Sequence, residues 1–468
     1  MSARVVTDAI HGSIRLEDDE WKVVDTASFQ RLRNLKQLQM AQLTYPNATH
    51  TRFAHSLGVF SVMKRVLEEG AKALKIDDEK EMKNLRLAAL LHDVGHYPYS
   101  HLMEGIDNVT LTEDFVSGDG GKKEIDLSAA APYPAHEDVG RTIVTKRKDL
   151  VDAIGDEARA KEIADLFTGV APGPLSKLIH SSLDMDRFDF LLRDANATGV
   201  PYGSVDLPYL LANVAVSKSG RIGFSYKAMS AAEQFLFARF FMYKVVYFHK
   251  TTFGFEEACR QLLRRCKLAK LYGVPPDGNA IHEWVTGDNF PEFTDGWIDH
   301  VVRLAANDPR ADPIVKALAR CIVYRKPPCL LREVSELKDL SQPKAAELCK
   351  SFRIRCQDRI PKLAETFGVD QRLFLFAGPK SVKLEARSSR LTPSTARKSI
   401  KLEDEEREEL VLIFEKGNKG EPTPLVDIPG SIANIASNVA YQFARLYLVT
   451  DDEVLSGKVR EQVESWDL

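Results

Sequence analysis

A histidine and an aspartate stand side by side at positions 92 and 93, inside the segment LAALLHDVGHYPYSH (87–101). His96 and His101 follow in the same segment, so four side chains that can bind metal lie close together in the chain. Buried imidazoles and carboxylates are costly unless they are paired or metal-bound, and one ion would satisfy them together. Nitrogen and carboxylate ligands suit Mn, Fe, Zn or Mg, so we expect a divalent ion of one of these elements as cofactor.

Two adjacent ligands cannot complete a coordination sphere, so the remaining ligands must come from other segments. The segment TRFAHSLGV (51–59) supplies His55, and SLDMDRFDFLLRD (182–194) supplies Asp184, Asp186, Asp189 and Asp194. Each of these residues also has an ordinary explanation when taken alone. A single histidine is more often a satisfied core residue, and a row of aspartates is more often a solvated helix face.

Helices are the elements that must position these side chains. Apolar residues recur at steps of three and four between 53 and 74, which predicts one buried helix face: Phe53, Leu57, Phe60, Met63 and Leu67. A second helix is predicted over 79–92 and is ended by Gly95 and Pro98, which places His92 and Asp93 at its C-terminal end. Residues 4–16 carry β-branched residues around a His-Gly turn, which predicts a short hairpin.

The rest of the chain predicts a mainly α fold with a smaller α+β lobe at the C-terminal end. Further helical patterns cover roughly 137–168, 174–194, 206–214 and 229–270. Strand-like runs follow at 372–376, 381–386 and 410–416. We therefore expect a helical body over 1–300 and an α+β lobe over 301–468. Residues 108–135 lack periodicity and predict a mobile insertion that could act as a lid.

Charge and hydropathy restrict the possible partners. The net charge of −3 provides no global positive field for a nucleic-acid backbone. The basic stretch 380–401 is best explained as a solvated loop. No apolar run approaches the roughly 18 residues of a membrane span, and the N-terminus does not resemble a signal peptide, so we expect a cytoplasmic protein without a membrane partner.

A series of motifs in this chain resembles the HD-domain superfamily and, within it, the deoxynucleoside triphosphate triphosphohydrolases, which include vertebrate SAM and HD domain-containing enzymes and bacterial relatives. The likeness runs from about residue 4 to residue 270. It rests on DAIHGSIRL (8–16), DTASFQRLRNLKQL (25–38), THTRFAHSLGV (49–59), LLHDVGHYPYSH (90–101), HE (136–137), DMDRFDFLLRD (184–194) and VYFHK (246–250). The resemblance implies a helical HD-domain body and a phosphohydrolase that acts on dNTPs, as a dGTPase does.

The resemblance also implies a role for particular residues. The metal ligands would be His55, His92, Asp93 and Asp186, with Asp184 in a supporting position. The catalytic residues would be His96, His101 and His136, supported by Glu104 and Glu137. In the implied reaction, metal-bound water attacks the α-phosphorus and releases a deoxynucleoside and triphosphate. His101 would protonate the departing 5′ oxygen, while His96 and His136 position the nucleophile and the phosphate.

Substrate and regulatory contacts follow from the same resemblance. Arg52, Arg187 and Arg239 would hold the triphosphate, because arginine offers a planar, bidentate donor. Sugar and base contacts would come from Gln37, Leu38, Phe190, Asp194 and Tyr247, where Phe190 stands in place of a family tyrosine. An activating GTP or dNTP would be bound by Val5, Asp25, Gln30, Arg33, His249 and Lys250. Because such sites lie between subunits in the family, a homodimer or homotetramer is implied.

Three alternatives remain open at this stage. The segment FQRLR could be an ordinary amphipathic helix capped by Asp25, with no nucleotide site. Another HD phosphohydrolase would act on nucleoside monophosphates or signalling nucleotides. A protein of a different class would be controlled by nucleotides or bind single-stranded nucleic acid through its basic stretch, with a vestigial HD site.

Overall fold

The computed structural model describes residues 4–74, 76, 78–107, 131–170, 175–179, 184–217, 221–339, 347–383, 411–414, 420–437 and 439–467. The predicted mobile insertion at 108–135 lies outside these residues except for 131–135. Most of the basic stretch 380–401 also lies outside them. Within the described ranges, no helix combines the length and the apolar character that a membrane span requires.

The chain begins with an antiparallel hairpin, in which Val6 pairs with Ile14. Its turn ends at Gly12, whose φ of +69° suits a residue without a side chain. This confirms the predicted hairpin and leads into short helices. The elements in this part are β1 (Arg4–Asp8), β2 (Gly12–Leu16), α1 (Asp18–Val24) and α2 (Ala27–Gln30).

The alternative in which Asp25 caps α2 is wrong in its choice of cap. Thr26, and not Asp25, precedes the helix, and its Oγ1 accepts a hydrogen bond of 3.2 Å from the backbone N–H of Phe29. Asp25 ends α1 instead. The Thr26 hydroxyl thereby satisfies one of the unpaired N–H groups of the first turn, which is the role of an N-cap residue.

Two long helices form the centre of the body and match their predicted ranges. They are α3 (Arg52–Leu74) and α4 (Glu79–Leu91), followed by the single-turn α5 (His101–Glu104). The predicted apolar face of α3 is buried at all five positions, from Phe53 to Leu67. Asp78 caps α4 by accepting from the N–H of Lys80 at 2.8 Å, and His92 follows its last turn.

The region predicted as helical over 137–168 consists of three helices. They are α6 (His136–Lys146), α7 (Lys148–Ile154) and α8 (Glu157–Phe167). Their breaks fall at Arg147, whose backbone is extended, and at Gly155, whose φ of +122° is a glycine conformation. Next comes α9 (Met185–Thr198), which packs against α3 and ends at Gly199 in the left-handed conformation.

The remainder of the body is also helical, with one small strand pair. It contains α10 (Leu207–Leu211), β3 (Val214–Val216), β4 (Ile222–Ser225), α11 (Met229–Met242), α12 (Lys250–Leu268), α13 (Gly278–Thr286), α14 (Asp295–Asn307) and α15 (Pro313–Val323). A π-helical segment, Tyr243–Tyr247, separates α11 from α12 within the range predicted as one helix. The division at residue 300 stays a prediction, and α14 runs across that residue.

The C-terminal part is α+β, as predicted. It contains β5 (Cys329–Asp339), α16 (Glu347–Phe367), β6 (Phe374–Lys383), β7 (Leu412–Phe414), β8 (Thr423–Pro424), α17 (Ile432–Ala436), β9 (Val439–Leu448) and α18 (Glu453–Glu464). An antiparallel sheet has the order β5-β9-β6, and a second sheet has the order β3-β4-β7-β8. The second sheet therefore joins the body to the C-terminal segment.

Strand β9 links two hydrophobic clusters. Tyr441, Phe443 and Tyr447 belong to the large cluster that extends through the body, whereas Leu446 and Leu448 pack with α16 and α18. Successive side chains of a strand point to opposite faces, so one strand can serve both clusters. The described structure is a mainly α fold with a short N-terminal hairpin and a smaller α+β region.

Candidate active site

Four side chains from three helices converge at the start of α3, the end of α4 and the start of α9. His55 Nε2 lies 2.8 Å from Asp186 Oδ1 and 3.6 Å from Asp93 Oδ2. His92 Nε2 lies 3.3 Å from Asp93 Oδ1 and 3.7 Å from Asp186 Oδ1. These are the four residues that the resemblance implies as metal ligands. Ligand atoms bound at about 2.0–2.2 Å and at right angles would be roughly 3 Å apart, so this spacing fits one ion.

The orientation of both imidazoles also fits a metal. His92 Nδ1 lies 2.7 Å from the carbonyl oxygen of Ala89, which can only accept, so Nδ1 carries the proton. His55 Nδ1 likewise lies 2.7 Å from a carboxylate oxygen of Asp189. Each Nε2 atom is buried and faces carboxylate oxygens: that of His55 faces Asp186, and that of His92 faces Asp93 and Asp186. A divalent ion would satisfy both lone pairs.

Charge at this centre is tightly coupled. Burial alone would lower the pKa of His55, but hydrogen bonds with Asp186 and Asp189 raise that pKa to about 10. The pKa of Asp186 is lowered, despite burial, by its contacts with His55 and His92. A proton on His55 therefore occupies the place between the carboxylates that a metal cation would take.

Asp93 joins the predicted metal ligands to the predicted catalytic residues. His96 Nε2 lies 3.1 Å from its Oδ1, and Arg52 Nη1 donates to its Oδ2. Burial and then the positive charge of Arg52 hold the pKa of His96 well below its usual range, so this imidazole is neutral. Arg52 Nε also donates to Ser100 Oγ at 2.8 Å.

Three histidines form a second cluster next to Asp93. The rings of His96 and His136 stack with centroids 4.0 Å apart, and His101 meets both edge-on at 5.0 and 5.2 Å. Glu104 holds two of them: its Oε2 lies 3.0 Å from His101 Nδ1, and its Oε1 lies 3.2 Å from His136 Nδ1. Glu137 Oε2 is 3.3 Å from the same His136 Nδ1. The predicted catalytic residues therefore lie together.

The loop after α4 depends on Gly95, which the sequence identified only as a helix end, and on Arg31, which sequence reasoning missed. A Cβ atom at Gly95 would lie 2.0 Å from the carbonyl oxygen of His136, so only glycine allows α6 to begin here. Arg31 donates to the carbonyl oxygens of Val94 and His96 at 3.3 and 2.6 Å. No sequence signal separates Arg31 from the other arginines of its motif.

The predicted phosphate-binding arginines lie on three different helices. Arg52 contacts the predicted metal ligand Asp93, as described above. The backbone N–H of Arg187 is bound by the cap residue Asp184 at 2.7 Å, and Arg187 Nη1 is buried without a hydrogen-bond partner among the described residues. Arg239 is buried on α11, which packs against α9, and its guanidinium lies 5.3 Å from the centre of the Tyr243 ring.

The predicted sugar and base residues form a second polar group. The hydroxyl of Tyr247 donates to Asp194 Oδ2 at 2.7 Å, and Phe190 meets the Tyr247 ring at 6.2 Å. His50, which the sequence did not single out, holds the other Asp194 oxygen at 2.7 Å. Gln37 donates from its backbone to the His50 carbonyl at 3.0 Å, and its side-chain oxygen is buried without a partner among the described residues. Leu38 packs against the core nearby in the chain.

The residues predicted for a nucleotide activator are mostly at the surface. Val5 is exposed on β1, and Asp25 lies 3.5 Å from Arg4 Nη1. Gln30 accepts from Arg33 Nε at 2.6 Å. His249 and Lys250 begin α12, where the His249 ring packs on Tyr45 at 5.6 Å. The role of all six residues stays a prediction.

Comparison with known proteins agrees with this geometry. Residues 52–189 match the model of the HD domain, and this range contains all four convergent ligands. The chain therefore contains an HD domain.

The relatives are similar to this chain over part of their length. The uncharacterized protein YwfO of Bacillus subtilis is 31% identical over 268 residues, which are 56% of this chain and 56% of that protein. The Dictyostelium discoideum homolog of the deoxynucleoside triphosphate triphosphohydrolase SAMHD1 is 30% identical over 257 residues, which are 53% of this chain and 46% of that protein. The match thus spans about half the length of these relatives.

A solved structure supports the fold. The structure of a phosphohydrolase from Bacteroides thetaiotaomicron superposes with a TM-score of 0.67 and covers 95% of this chain and 100% of that one. Its sequence is 21% identical, so this likeness shows the fold alone.

Proposed function

We propose that this protein is a metal-dependent phosphohydrolase that cleaves dNTPs to deoxynucleosides and triphosphate. The observation that carries the proposal is the position of Asp93, which contacts two histidines of the metal centre, the neutral His96 and the cationic Arg52. The proposed cation centre, a histidine that can hold water and an arginine that can donate hydrogen bonds to phosphate therefore meet at the carboxylate of Asp93. The similarity to dNTP triphosphohydrolases supports the choice of substrate class.

A divalent ion at His55, His92, Asp93 and Asp186 would supply a water of lowered pKa and would polarise a phosphate oxygen. The neutral His96 accepts a hydrogen bond from the attacking water or orients it. Arg52, Arg187 and Arg239 bind the triphosphate oxygens and stabilise charge in the transition state, but they cannot supply a proton.

His101 is the proposed proton donor to the departing 5′ oxygen. Glu104 holds its Nδ1 atom and stabilises the charged imidazolium, so the ring can hold the proton until the bond breaks. His136 shares the same carboxylate and stacks on His96, which keeps the ring in place. Glu137 adds a second carboxylate next to His136.

Asp194 and Tyr247 are the proposed sugar contacts. Asp194 binds both Tyr247 and His50, and His50 stands two residues before the start of α3. Phe190 places an apolar edge at this point, where a tyrosine would add a hydroxyl. Gln37 offers an unpaired side-chain oxygen to the sugar or the base.

A nucleotide activator and self-association are part of the same proposal. GTP or a dNTP would bind at Val5, Asp25, Gln30 and Arg33, together with His249 and Lys250, in a homodimer or homotetramer. Stabilisation of the protein by GTP in thermal unfolding should be lost in Arg33→Ala, because the guanidinium would no longer pair with phosphate. An equal shift in both proteins would contradict this site.

The reaction is tested by chromatography of the products from Mn²⁺, the purified protein and all four dNTPs, with and without GTP. Deoxynucleosides and triphosphate should form with wild type and with Asp152→Ala, which changes an exposed aspartate on α7. Asp93→Ala should form neither product. In heavy-oxygen water, attack at phosphorus should place the label in triphosphate.

Other results would reject the proposal. Release of orthophosphate or pyrophosphate would indicate a different phosphoester reaction. No turnover with or without GTP, despite bound metal, would favour a binding protein.

A further inference from the structure

The N-terminal hairpin reaches the metal ligand His55 through one buried carboxylate. Asp189 is fully buried on α9, and its Oδ2 lies 2.7 Å from His55 Nδ1. Its Oδ1 lies 2.7 Å from Nε2 of His11, which belongs to the hairpin turn. A carboxylate can only accept here, so both imidazoles donate to Asp189. The metal ligand and the hairpin therefore share one acceptor.

Arg193 makes a second connection between the hairpin and this carboxylate. Its Nε and Nη2 donate to Asp189 at 2.8 and 2.9 Å, and its Nη1 donates to Asp8 at 2.8 Å. Asp8 also accepts from the backbone N–H groups of Ile10 and His11, both at 2.9 Å, so it holds the turn that carries His11. The hairpin turn is thus fixed by the same network that it contacts.

The charges of this network favour a nearby cation. Asp8 and Asp189 are two carboxylates in a buried region, whereas Arg193 supplies one positive charge. Buried charge without compensation is costly, so additional positive charge stabilises the cluster. A positive charge at the opposite nitrogen of His55, carried by a metal ion or by the proton that the ion replaces, would supply it.

The packing leaves no room for the network to shift towards α3. A Cβ atom at Gly58 would lie 1.8 Å from Asp189 Oδ1 and 2.5 Å from Arg193 Nη2. The glycine on α3 therefore allows the carboxylate and the guanidinium to approach the helix backbone directly. His55 is one turn earlier on the same helix, so its ring and Asp189 are held in one rigid arrangement.

The hairpin has few other strong attachments. Strand β1 has no buried residue, and in β2 only Ile14 and Leu16 are buried. A two-stranded hairpin is at best marginally stable by itself. Its docking therefore depends on these two apolar residues and on the polar network at Asp8 and His11.

We propose that the N-terminal hairpin positions the metal ligand His55 through His11, Asp8, Arg193 and Asp189, so that hairpin docking and metal binding favour each other. The inference rests on the proposed metal centre. The bond at Nδ1 fixes the tautomer and direction of His55, and contacts of this kind support metal affinity. Coupling between two binding equilibria is reciprocal, so the ion must stabilise the docked hairpin as much as the hairpin stabilises the ion.

Hydrogen exchange of the wild-type chain tests the reciprocal effect without any substitution. The amides of Ile10 and His11 should exchange about tenfold more slowly with Mn²⁺ bound. Amides of α18, which lies in the C-terminal cluster, should not change. Unchanged exchange at Ile10 and His11 in the Mn²⁺-loaded protein would overturn the inference. Failure of the wild-type chain to bind Mn²⁺ would instead overturn the metal centre itself, and the inference with it.

Mn²⁺ affinity of variants gives the second test. His11→Ala should weaken binding about tenfold or more, and His11→Gln should restore most of the affinity because its amide can donate at the position of Nε2. Lys64→Ala is the matched control, since Lys64 Nζ contacts the hairpin at the Arg15 carbonyl, 3.2 Å away, outside the network. A folded His11→Ala protein with wild-type affinity would overturn the proposal, as would an equal loss in Lys64→Ala.

Discussion

His55 Nε2 lies 2.8 Å from Asp186 Oδ1, although the two residues belong to the first turns of different helices, α3 and α9. The C-terminal end of α4 brings His92 and Asp93 to the same point. The site is therefore formed by the ends of three helices. Its integrity depends on each of them.

Substitutions of Asp186 and of its neighbour Asp184 should differ in their effect on metal binding. Asp186→Ala should abolish stoichiometric Mn²⁺ binding, because two histidines and one aspartate supply too few ligand atoms and too little negative charge to hold the cation. Asp184→Asn should keep the metal, since asparagine caps a helix as well as aspartate does. Metal content after dialysis, measured by mass spectrometry, checks both. Equal metal in the two variants would contradict the assignment of Asp186.

Metal binding should release a proton from His55. The pKa of this residue is raised to about 10, so the metal-free imidazole is charged at neutral pH and loses its proton only as the pH rises through that value. An ion must displace this proton, and the apparent Mn²⁺ affinity should therefore increase by about tenfold per pH unit below pH 10. Calorimetry at one pH in two buffers of different protonation enthalpy counts the released protons. Identical heats in both buffers would contradict the prediction.

Glu104 should affect the reaction much more than metal binding. Although burial opposes it, hydrogen bonds from His101 and His136 lower the pKa of Glu104, so the carboxylate is charged at neutral pH. Glu104→Gln removes this charge and should decrease kcat by about a hundredfold, because His101 loses its acid partner. Metal content should not change.

The control for Glu104 is Glu162→Gln on the surface of α8, which loses an ion pair with Lys80, while the new amide oxygen can still accept from Asn84. This variant should keep its kcat. A kcat of Glu104→Gln close to the wild-type value would show that the proton comes from elsewhere.

Gly95→Ala should decrease both stability and activity. The new Cβ would lie 2.0 Å from the His136 carbonyl and 2.3 Å from the Gly140 nitrogen, so α6 must move away. Overpacking of this kind costs about 1–3 kcal/mol in the free energy of unfolding. Gly105→Ala meets no atom within 4 Å at a negative φ, so it should be tolerated. Urea unfolding of both variants compares the two positions, and equal stability would contradict the packing argument.

Local patterns predicted the central helices well. The apolar spacing from Phe53 to Leu67 identified the buried face of α3, because burial of one helix face requires that spacing. Gly95 and Pro98 correctly indicated the end of α4. The breaks at Arg147 and Gly155 and the π-helical segment before α12 were not predicted, since tertiary packing decides where a helical pattern is interrupted.

The sequence by itself determined which residue types could bind metal, and its motifs, through their resemblance to a known family, predicted His55, His92, Asp93 and Asp186 as the ligands. It gave no role to Asp189, the other aspartate of α9 that contacts His55. Asp186 and Asp189 are three residues apart and so lie on the same face of the helix. Only the tertiary structure places Asp186 beside Nε2 of His55 and Asp189 beside Nδ1, where it also meets the hairpin. Spacing along one helix specifies a face, whereas the position of the facing helix decides which atom each side chain meets.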